Sequence, residues 1–138
     1  MTCNHYVRFK SIQVATTITE NEKVISNKVQ TIEDLHLGLS AMGRAFLFRG
    51  YKDLDDLADY GIANPIVSLE DWVEILNNRN VVIVDEHRNQ VEIDEFLGMV
   101  KRKRNGINHY DYLVKKGYSL EDNWKDSDGN SFCGSHFS

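Results

Sequence analysis

Between positions 53 and 95 twelve carboxylates face two guanidinium groups, Arg79 and Arg88, and no other stretch of the chain has residue types that point so directly to a chemistry. Seven basic and four acidic groups precede this stretch, and seven basic and five acidic groups follow it. Both flanks are therefore net positive in a chain of net charge −5. A block of one sign creates a local field that steers cationic partners. Asp53, Asp55, Asp56, Asp59, Glu70, Asp71 and Glu74 fall on two successive helical segments and are the candidate partner-binding residues. If those segments pack side by side, their carboxylates form an acidic face that can dock on a basic surface of a partner protein. Because duplex DNA carries a charge every ~1.7 Å of axis, such a face could also block a site that otherwise holds phosphates. The expected function is a non-enzymatic binding or regulatory protein. Its size and acidity suit the small accessory or inhibitor proteins of phages and mobile elements, an analogy of type rather than of motif.

Two alternatives rest on other residues. The run Lys101, Arg102, Lys103 and Arg104, with Lys115, Lys116 and several tyrosines beyond it, could track a phosphate backbone and stack bases. Cations are also favourable in the last turn of a helix for reasons of the helix dipole alone. A small metal-dependent or Cys/His enzyme is the second alternative. Cys3 and His5 with Cys133 and His136 offer zinc-type ligands, although the spacing matches no finger and requires the two ends of the chain to meet. Cys133 with His109 or His136 could pair a nucleophile with a base, and Asp85, Glu86, His87 and Glu92 could hold a metal or move protons. Asp126-Ser127-Asp128-Gly129-Asn130 begins like a calcium loop but lacks the later glycine and bidentate acid, so an Asx-type turn is expected. Phosphate-cradling glycine loops, nucleophile elbows, His-Glu-x-x-His and paired Cys-x-x-Cys motifs do not occur. No cofactor, metal ligand set or catalytic residue is assigned.

The elements that must position these residues follow from periodicity and capping. β-branched and aromatic residues over 6–18 predict a strand, turned at Asn21-Glu22 into a second strand over 23–29. Ile32, Leu35, Leu39, Met42 and Phe46 recur at intervals of three and four, which predicts a central helix over 32–49 capped by Thr31 and interrupted by Gly38 and Gly43. A short helix is expected from Asp53 to Gly61. Ser68 should cap another that buries Leu69, Trp72, Val73 and Leu76. Val81–Val84 and Val91–Ile93 read as a hairpin. Asp94 is expected to cap a helix ending at the basic run. Over 107–118 Tyr110, Tyr112 and Val114 alternate like a strand while Ile107, Tyr110 and Val114 fit a helix, and the stretch reads as a further helix. Ser-Leu-Glu-Asp at 68–71 recurs at 119–122 and reads as a second cap. Residues 119–138 are expected to form a turn-rich tail pinned by Trp124, Phe132 and Phe137.

At 138 residues, 41% hydrophobic and 27% charged, the chain suits one domain with one core. The expected fold class is α+β, a single compact domain of two small antiparallel hairpins and four to five helices. No leader or membrane-spanning run is apparent and the two cysteines read as free thiols, so a cytoplasmic location is expected.

Overall fold

The computed structural model describes residues 2–10, 13–20 and 23–137. Strands β1 (Thr2–Phe9), β2 (Gln13–Glu20), β3 (Lys23–Thr31), β4 (Leu35–Ala41) and β5 (Leu47–Arg49) come first. A 3₁₀ helix (Leu54–Tyr60), α1 (Leu69–Asn78), β6 (Val81–Asp85), β7 (Gln90–Val91), α2 (Ile93–Lys103), α3 (His109–Lys116), β8 (Asn123–Lys125) and β9 (Ser131–Cys133) complete the α+β fold. Seven strands form one mixed sheet in the order β7-β6-β1-β4-β5-β9-β8, while β2 and β3 pair with each other. Every neighbouring pair is antiparallel except β5 with β9. The two hairpins expected are found only in part: β2 pairs with β3 and β6 with β7, but the strand predicted over 6–18 divides into β1 and β2, Ile93 opens α2 instead of ending the second hairpin, and β6–β7 belongs to the seven-stranded sheet. The turn at Asn21-Glu22 lies outside the described residues.

The central helix over 32–49 does not form; β4 and β5 occupy that stretch. Leu35, Leu37 and Leu39 alternate as well as they fit a helical stripe, and Met42 of that stripe is 82% exposed. Pairing decides between the two periods. β4 lies between β1 and β5, and a bulge opposite His5 and Tyr6 gives β4 one extra residue, so that Leu37 and Gly38 are buried in succession. Gly38 leaves room for its neighbours: a Cβ there would strike the Leu47 carbonyl oxygen and the Phe46 ring.

Residues paired across the sheet share a face. Val7, Phe9, Leu35, Phe48, Ile83 and Phe132 belong to one core with Trp72, Ile75 and Leu76 of α1 and Phe96 and Val100 of α2. The helices cover that face. Tyr6, Arg8, His36, Leu47, Arg49 and Cys133 alternate with core residues and belong to the opposite face.

The helices start and stop where local chemistry dictates. Asp53 caps the 3₁₀ helix by accepting from Asp55 N, and Gly61 ends it in the left-handed conformation at φ 68°. Ser68 and Asp71 form a reciprocal capping box on α1. α2 begins at Ile93 after Glu92, with no side-chain cap, so Asp94 lies in its first turn instead of capping it. Asn108 and Gly117 bound α3. The C-terminal stretch is part of the fold rather than a tail. Phe132 stacks between Phe48 and Trp124, at centroid distances of 5.1 and 5.8 Å, and Ser119–Asp122 turns into β8 without capping a helix.

Candidate functional site

The acidic segment divides by structure. With three residues per turn, a 3₁₀ helix aligns side chains at i and i+3, so Asp56 and Asp59 lie on one ridge a step of about 6 Å apart, while Asp53 stands before the helix and caps it. Leu54, Leu57 and Tyr60 form the next ridge, and Leu57 is wholly buried. That ridge anchors the helix and leaves the aspartates outward. Asp53, Asp55, Asp56, Asp59, Glu70 and Glu74 are exposed. Asp71 is half-buried, and its Oδ2 accepts from Val67 N at 2.9 Å and Ser68 N at 3.1 Å. It holds a helix start rather than a partner. Arg79 Nη2 donates to Gly61 O at 2.8 Å, which ties the end of α1 to the end of the 3₁₀ helix. Among the described residues the ion pairs are Arg8–Asp34 and Lys125–Asp111, and neither takes a carboxylate of this segment.

The basic run closes α2. Lys103 Nζ donates to Ala41 O at 2.9 Å, fastening the helix to the end of β4, and Lys101, Arg102 and Arg104 are exposed. Cations here complement the helix C-terminus.

The zinc-type pairs are drawn apart, whereas Cys133 and His109 line one cleft, where Cys133 Sγ donates to Ser135 O and not to an imidazole. Cys3 and His5 share one face of β1, and His5 sits 5.7 Å from both Phe46 and Phe96 in the core. Cys133 lies on β9, beyond β4 and β5, paired with Arg49 on the opposite face. Burial raises the Cys3 thiol above its ordinary pKa and lowers those of the His5 and His109 imidazoles. Asp85 Oδ1 accepts from His87 N and Asn89 N, both at 2.9 Å, and Glu86 Oε1 accepts from Asn4 N at 2.9 Å. Those carboxylates build the β6–β7 turn and its junction with β1. The Asn89 backbone bond, first among several, holds Asp85 below the usual carboxylate range. Among the described residues no three His, Cys, Asp or Glu side chains gather closely enough for a metal. Asp126 makes an Asx turn: Oδ1 accepts from Asp128 N and Asn130 N, and Oδ2 from Leu69 N and Asn130 Nδ2.

A second candidate, not foreseen from the sequence, lies on the sheet face opposite the helices. A cleft of about 390 Å³ is lined by Tyr6, His36, Arg49, Tyr51, His136 and Phe137 among others. Phe137 packs on His36 at 4.8 Å between centroids, and Tyr6 flanks the same ring at 5.3 Å. His36 Nε2 donates to Asn4 Oδ1 at 2.9 Å, while its Nδ1 is buried without a partner among the described residues. Burial, reinforced by the positive charge of Arg49, lowers the His36 pKa to about 4. Arg49 lies 4.6 Å from the Tyr51 ring centroid, and the Tyr51 hydroxyl, donating to His36 O at 3.0 Å, is pushed well above the ordinary phenol range by burial.

No family model, no curated protein and no solved structure matches the chain. Function therefore rests on the residues themselves. No helix among the described residues is long and apolar enough to cross a membrane. Asp56 belongs to both candidates, since it stands on the 3₁₀ ridge and also lines the cleft, on whose border Glu33 and Asp34 also lie. Sequence reading missed these last two because they fall inside the stretch assigned to a helix.

Proposed function

We propose that the protein is a non-enzymatic binding protein whose acidic segment docks on a basic surface of a partner protein and blocks a nucleic-acid-binding site there, as small phage-type accessory proteins do. One observation carries this reading. Six of the seven candidate carboxylates are exposed, and none is ion-paired among the described residues. Exposed carboxylates without cations keep their field available for a partner. The ridge of Asp56 and Asp59 is too short to imitate a long phosphate track, so it suits a few lysine or arginine side chains rather than a whole duplex site. Asp71 is outside the docking set because it is engaged in the helix cap.

The test compares retention of a basic partner by wild-type protein and by a D55K/D56K/D59K/E74K variant, at about 50 and about 500 mM salt. The expected partner is held at low salt, released at high salt, displaced by added duplex DNA and lost by the charge-reversed variant. A partner retained equally under all four conditions overturns the reading.

A further inference from the structure

Arg49 carries a fixed positive charge in a half-buried position, without a carboxylate within ion-pair distance among the described residues. Its hydrogen bonding is sparse: Nη2 donates to Gly134 O at 3.3 Å, and Nε is buried with no partner among the described residues. Leaving the buried Nε–H without an acceptor is costly, and an anion on that edge would satisfy it. Elsewhere in the same chain Arg8 shows what the equivalent edge does when it meets one. Arg8 Nε and Nη2 grip the two oxygens of Asp34, each at 3.0 Å.

We propose that the cleft on the uncovered sheet face binds a small organic monocarboxylate, its anionic group gripped by Arg49 and its ring or aliphatic body laid against Tyr51, Tyr6 and Phe137. The size fits, because 390 Å³ lies within the usual range of small-ligand sites. A single charge is selected over a double one, since Glu33 and Asp56 line the same cleft and repel a dianion, while Asp34 is already neutralised by Arg8. The body is apolar or aromatic because four aromatic side chains, Tyr6, Tyr51, Tyr60 and Phe137, line the space. A neighbouring cleft of about 330 Å³, which shares Phe137 and is lined by Leu39, Leu47 and Ile107, extends the apolar surface. The Gly134 carbonyl occupies Nη2, so the ligand carboxylate exchanges with that carbonyl as it enters, while Phe137 remains on His36 as a wall of the cleft. This inference rests on Arg49 and the cleft and not on docking by the acidic face, with which the cleft shares Asp56.

The test is a titration of the full chain followed by NMR, with phenylacetate as the carboxylate probe, phenethylamine as its cationic counterpart and inorganic phosphate as the bare anion. Phenylacetate is expected to give saturable shifts at Arg49 Nε–H, Tyr51 and Phe137, and R49Q to weaken binding about tenfold or more. R49K keeps the cation and loses the Nε–Nη2 fork, so it is expected to bind phenylacetate more weakly than wild type and more tightly than R49Q; this variant and the wild-type shift map decide the matter should R49Q not fold. Phenethylamine binding as well as phenylacetate, phosphate binding more tightly than phenylacetate, or no saturable shift up to about 10 mM would each overturn the proposal.

Discussion

Trp72 Nε1 donates to the Arg49 carbonyl oxygen at 3.0 Å, and this bond joins the acidic helix α1 to the strand that carries the cleft's guanidinium. The indole is wholly buried and meets Tyr51 edge-on at 6.2 Å. Replacing it removes packing and leaves a carbonyl without its donor. W72F is expected to lower unfolding free energy by about 2 kcal/mol, combining a lost hydrogen bond with a smaller ring. Chemical denaturation measures it. If Trp72 also fixes the β5 backbone, W72F will shift the Arg49 and Tyr51 resonances while leaving those of the exposed Asp55 unmoved.

Asp71 and Asp55 separate structural from docking acids. The Asp71 carboxylate accepts from two backbone amides before α1, whereas Asp55 is exposed and its side chain takes part in no hydrogen bond among the described residues. D71A should cost about 1 kcal/mol of stability, the typical loss of a capping interaction. D55A should leave the melting temperature within a degree or so, as exposed substitutions usually do. Thermal melts of the two variants check this. A stable D71A protein would mean that the capping box contributes nothing and would return Asp71 to the docking set.

Gly38 tests the strand assignment directly. In a helix, G38A would stabilise by about 1 kcal/mol. In β4 the added methyl meets the Leu47 carbonyl oxygen and the Phe46 ring, and the substitution should cost about 3 kcal/mol or prevent folding. Gly43 is the control. It has open space around it but sits at φ 76°, so G43A should cost only about 1 kcal/mol from backbone strain. Urea midpoints of both variants would rise by similar amounts in a helix, whereas in the observed fold both should fall, G38A the further.

The same glycine shows what the sequence could and could not reveal. The 3₁₀ helix, α1, α2 and the β6–β7 hairpin were legible because their signals are local, such as Ser68 with Asp71 and Gly61 at a helix end, whereas 107–118 fitted both periods and only the Asn108 and Gly117 caps of α3 decide it. For 32–49 the local pattern satisfied two periods at once. Only the insertion of β4 between β1 and β5 makes Leu35 and Leu37 core residues and turns Met42 outward. Strand order was hidden for the same reason, since β9 joins β5 across more than eighty positions. The exposed acids of 53–74 were legible as a composition. The cleft was not: Tyr6, His36, Arg49 and His136 come from separate stretches and converge only through the order β1-β4-β5-β9.

Acid sensitivity should come from buried imidazoles before it comes from carboxylates. His36 has its pKa lowered to about 4, by burial first and by Arg49 and His136 next, and burial also lowers those of His5 and His109. A histidine held neutral in the folded chain binds fewer protons than it does unfolded. Its contribution is therefore complete above the unfolded value near 6.5 and is lost progressively as pH falls toward about 4. Asp85, with its pKa depressed, adds its own loss only as pH falls below the ordinary carboxylate value of 3.8. The two windows are distinct. Melting temperature should accordingly decline between pH 6.5 and 4, before carboxylate protonation takes over. H36Q, which keeps a polar side chain but cannot titrate, should flatten that decline while leaving the loss below pH 3.8 intact. An H36Q profile parallel to wild type would show that His36 protonates freely in the folded protein and that burial by Phe137 and the sheet does not hold it neutral.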